Sequence, residues 1–143
     1  MRIWWGYGSE HSMNLVMVGK FASAGEAGAV KELIDRLASG VQDDLDAGRI
    51  EYGQPPSRFS DSMLALLQAL EVHSLGPAEL EQLAYSANVV ARGDSVVIRT
   101  DETEVQAYIK ILLTKGARIE MFSAHDFPEE GKRLDEDGVR RNG

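Results

Sequence analysis

The amino-acid sequence predicts an α+β fold of the ferredoxin-like, split βαβ type, an antiparallel sheet with its helices on one face. Three observations predict it. Met13 to Phe21 is almost continuously apolar, as a central strand covered on both faces must be. Ser23 with Glu26, and Asp101 with Glu104, have the spacing of capping boxes that open helices. Between those two helices, Asn88 to Ala91 and Ser95 to Thr100 are short β-branched runs joined by Arg92-Gly93-Asp94, a hairpin signal.

Each element follows from its local pattern. After the first strand, Val30, Leu33, Ile34, Leu37 and Val41 recur at helical spacing and form one apolar stripe. Asp43, Asp44 and Asp46 then fall where the helix macrodipole disfavours acids, so the helix is expected to fray before Gly48. Gly53-Gln54-Pro55-Pro56 breaks the chain. A second helix is expected from about Phe59 to Glu71, with Met63, Leu64, Leu67 and Leu70 on one side. Pro77, at a first helical position, opens a short third helix carrying Leu80 and Leu83. Beyond the hairpin, Val105, Tyr108, Ile109 and Leu112 build a helix that Gly116 stops. Arg118 to Ser123 alternates charged and apolar residues, the mark of a half-exposed last strand.

In the split βαβ order, strands one and three lie side by side in the centre. Strand four flanks strand one, and strand two lies beyond strand three. Residues 1–126 then form a single α+β domain, with a helical insertion at about 57–86 and a polar, loosely ordered tail at 127–143. Arg2 to Tyr7 is also strand-like. A hairpin with Asn14 to Phe21 is the open alternative there, with Gly8 to Ser12 as its turn.

Alternation places Val90, Val97 and Phe122 on the sheet face opposite Val89, Val96, Ile98 and Met121. That second apolar face has to be covered. The inserted helices would do so in a monomer, and another copy would do so in a homodimer through the sheet face. The leucine content of the insertion favours the first.

Composition narrows the function classes. The chain has 143 residues, 43% of them apolar, and no cysteine. That excludes a disulfide framework, a thiolate zinc site and a cysteine nucleophile. No apolar run is long enough to span a bilayer, and the opening Met1 to Gly6 is too short for a signal peptide. A cytoplasmic protein without a membrane partner is the expectation. The formal charge of −8 argues against nucleic acid, since the basic pairs Lys132-Arg133 and Arg140-Arg141 sit in a mixed-charge tail. An acidic surface suits a basic protein partner instead.

Two polar clusters carry most of the chemistry, Gly8-Ser9-Glu10-His11-Ser12 and Ser123-Ala124-His125-Asp126. In the expected topology the start of strand one meets the end of strand four, so Glu10, His11, His125 and Asp126 converge at one sheet edge. Two imidazoles with carboxylates can ligate a divalent metal, with His11 and His125 as the nitrogen donors. Alternatively a His–Asp pair acts as an oriented general base. Trp5 and Tyr7, with Gly8 and Ser9, would bind a ligand there, and the backbone N–H groups of Gly6 and Gly8 would hold an anion. The bland reading gives Ser9, Glu10 and Ser12 turn and capping bonds and packs the aromatics under a helix. P-loop, dinucleotide, H-E-x-x-H and zinc-finger patterns are absent from the sequence.

The stretch Trp5-Gly6-Tyr7-Gly8-Ser9-Glu10-His11-Ser12-Met13-Asn14-Leu15 resembles the start of an uncharacterised family of small bacterial proteins. The resemblance covers the first strand region and, loosely, the helix after it. It implies no activity.

Two functions remain open. The first is an interaction protein without catalysis, of the immunity or antitoxin-type inhibitor or adaptor class. Its acidic residues (Asp43, Asp44, Asp46 and Asp135, Glu136, Asp137) would engage a basic partner. The second is a small metal-dependent or acid–base enzyme, or ligand-binding domain, working at the sheet edge through Glu10, His11, His125 and Asp126. Charge and the absence of a motif favour the first.

Overall fold

The computed structural model describes residues 15–51, 58–85, 87–101 and 104–124. Strand β1 (Leu15–Lys20) leads into helix α1 (Ala24–Asp46), followed by α2 (Asp61–Leu70) and α3 (Pro77–Leu80). A 3₁₀ turn (Glu81–Ala84) then precedes β2 (Asn88–Arg92), β3 (Ser95–Thr100), α4 (Val105–Thr114) and β4 (Arg118–Ser123). The four strands make one open antiparallel sheet in the order β2-β3-β1-β4. That is the strand order expected from the sequence.

Strand β1 is paired along its whole length on both sides, Leu15 facing Thr100 and Ser123, and Lys20 facing Ser95 and Arg118. No edge of Leu15 to Lys20 is left for Arg2 to Tyr7. The hairpin alternative is therefore overturned, because β3 and β4 already use both rows of β1 backbone groups.

Helix α1 begins as its sequence dictates. The Ser23 hydroxyl accepts from the Glu26 N–H at 3.1 Å, and the Glu26 carboxylate reaches back to the Ala22 N–H at 3.3 Å. Its buried stripe is Ala27, Val30, Leu33, Ile34, Leu37 and Val41, with Asp44 below them. The helix stays regular to Asp46 and stops before Gly48, whose φ of +77° only glycine adopts without strain. The acids do not unravel it, because Asp44 is turned inward and satisfied. Its carboxylate accepts from Arg49 Nε at 2.8 Å and from Ser60 Oγ at 2.9 Å, while its carbonyl accepts from the Arg49 and Ile50 N–H groups. Ser60 in turn caps α2, accepting from the Met63 N–H at 3.1 Å. One carboxylate, 1% exposed, thus ties the end of α1 to the start of α2.

The helices share one face of the sheet. Met17, Val96 and Ile98 from the strands form a single core with Leu37 and Val41 of α1, Met63 and Leu67 of α2, Leu80, Leu83, and Ile111 and Leu112 of α4. The inserted helices therefore do not cover the second face, contrary to the sequence expectation. Length explains it. A helix of 23 residues runs about 35 Å at 1.5 Å per residue. Strands of six residues span only about 20 Å. The second half of α1 overhangs the sheet, and the insertion packs there. The second face holds a separate small cluster of Val16 and Val97, with Val18, Phe122 and Ala124 half-buried against them.

Gly19 marks the tightest approach between layers. A Cβ at this position would lie 3.0 Å from both methyl carbons of Leu112, which is fully buried and has no room to turn. Gly19→Ala is expected to lower the unfolding free energy by about 1–3 kcal/mol, measured by urea denaturation.

Candidate functional site

The residues singled out in the sequence, Glu10, His11, His125 and Asp126 with Trp5, Tyr7, Gly8 and Ser9, lie outside the described residues. What is described is the frame they continue from. Leu15 opens β1 directly opposite Ser123, which closes β4. Ser123, the first residue of the second polar cluster, is 3% exposed and turned to the helical side of the sheet. Among the described residues, no group of three or more His, Asp or Glu side chains is arranged to hold a metal ion.

The described surface has two recesses. One, of about 310 Å³, opens where α1 passes α2 and is lined by Gly40, Asp43, Arg49, Ser62, Met63 and Leu66. Gly40 makes this crossing close, since a Cβ there would sit 2.7 Å from a Leu66 methyl carbon. Its floor is apolar, and Asp43 and Arg49 put one charge of each sign on its edge.

The second recess, of about 530 Å³, lies between the α3 region and the first turn of α4. Glu79, Glu81 and Glu104 line it with Gln82, Gln106 and Tyr85. Its walls are held by specific bonds. Gln82 Oε1 accepts from the Ala107 N–H at 2.8 Å, which locks the 3₁₀ turn onto α4. Glu81 accepts from the Tyr85 hydroxyl at 2.9 Å, an i,i+4 pair. Glu79 accepts from the Gly76 N–H at 2.7 Å with one oxygen and pairs with Lys110 Nζ at 2.6 Å with the other. The lining is rich in acceptors and poor in nucleophiles. It suits a cationic or donor-bearing group.

Sequence reasoning did not find this recess, because its acids come from two segments about twenty-five residues apart. The local signal was present in part, in the Glu81 and Tyr85 spacing after Pro77. Asp44 was read with Asp43 and Asp46 as surface charge. The fold buries it, and only its neighbours remain exposed.

Burial pushes the Glu79 carboxyl up, but the Gly76 N–H and the Lys110 ammonium outweigh burial and leave its pKa below the ordinary value. Burial also pushes the Tyr108 hydroxyl up to about 12, with the nearby Glu104 charge adding to it.

Residues 1–134 match the model of a family described as a family of unknown function, DUF6375, and the chain belongs to that family. The resemblance read from Trp5 to Leu15 thus holds over nearly the whole chain. No curated protein and no solved structure matches the chain.

The depressed Glu79 pKa fixes the sign of a pH effect. Its stabilising contribution is complete above the ordinary carboxyl pKa and is lost as pH falls through the lower, folded-state value. Glu79→Gln should therefore melt lower at neutral pH and lose less stability than the parent on acidification below about pH 4.5. Thermal melts by circular dichroism across that range check both.

Proposed function

We propose that this DUF6375 member is an acidic protein-interaction module, of the inhibitor or adaptor class, that engages a basic protein partner through its helical layer. One observation carries the reading, the segregation of charge within the fold. Residues 24–85, which make up α1 and the inserted helices, hold eleven Asp and Glu against four Lys and Arg. The far face of the sheet carries Lys20, Arg92, Arg99 and Arg118 against Glu120. Among the described residues the acidic charge gathers on the helical side, with Asp44 and Glu81 of those eleven buried. On that side the recess between α1 and α2 joins apolar Met63 and Leu66 to exposed Asp43 and to Arg49. An apolar centre with a charged rim, set in an acidic layer, suits a basic protein partner.

The finer assignments belong to the same reading. The ferredoxin-like, split βαβ description is supported by the order β2-β3-β1-β4 and by the antiparallel pairing throughout. A cytoplasmic location is supported by the absence of cysteine. Among the described residues, no helix is long and apolar enough to cross a membrane.

A second reading keeps the sheet-edge site of Glu10, His11, His125 and Asp126, with a divalent metal held by the two histidines. The pairing of Leu15 with Ser123 favours it, since both clusters continue from this one point.

The two readings are tested separately. Asp43→Asn, Asp46→Asn and Glu51→Gln together neutralise exposed acids at the end of α1 and just after it without touching the core. Binding of a co-purifying basic protein should weaken about tenfold, with a shallower salt dependence. Unchanged affinity and salt slope would sink the interaction reading. For the metal site, elemental analysis of purified protein supplied with zinc, manganese and iron should give one metal per chain, lost in the folded His11→Ala/His125→Ala variant. A metal content near zero in the parent rules that site out.

A further inference from the structure

We draw no further inference here: the strongest candidate, the recess between α3 and the first turn of α4 lined by Glu79, Glu81 and Glu104, is a cluster of acids in which Glu79 is held by Gly76 and Lys110 and Glu81 by Tyr85, and nothing else among the described residues points to what it would bind.

Discussion

Strand β1 is the constraint on which the rest of this structure depends. It is hydrogen-bonded to β3 and β4 along its full length, and Val16 and Met17, on opposite faces, are both fully buried. A strand in that position has no polar surface to offer, which is why Leu15 to Gly19 is apolar without interruption. It also requires close helix contact on one side. Gly19 meets the side chain of Leu112, so the position is reserved for a residue without a Cβ. The ends of β1 and β4 are brought together by the same pairing, and every hypothesis about a site at that edge starts from it.

The helical layer is organised by a different interaction. Asp44 is an acid at a helix C-terminus, where the dipole opposes it, and it is retained by being buried with partners. Through Ser60 it fixes where α2 begins, and through its carbonyl it shapes the turn after α1. The insertion is thereby aimed along the overhanging half of α1 and not across the sheet. A charged residue at a helix end is the joint between α1 and α2.

These two constraints give the molecule unlike sides. The helical side is the acidic one and carries an apolar recess, and the sheet side sets basic residues around an apolar centre. The functional reading follows from the first side.

The sequence by itself determined the elements and their order. Ser23, Ser95 to Thr100, Gly116 and Arg118 to Ser123 act through local bonds and alternation, so each boundary was readable from a few neighbouring residues. It also determined which strand residues share a face, because the period of two leaves no freedom. Tertiary structure alone decided the rest. The insertion's side of the sheet depends on the length of α1 relative to the strands, a comparison between elements that no local pattern contains. The recess at Glu81 and Glu104 lies between segments that meet only in the fold, where Gln82 bonds to Ala107 and Glu79 pairs with Lys110. Asp44 alone of the three acids continues the apolar stripe at helical spacing from Leu37 and Val41, but its partners Arg49 and Ser60 are supplied only by the fold.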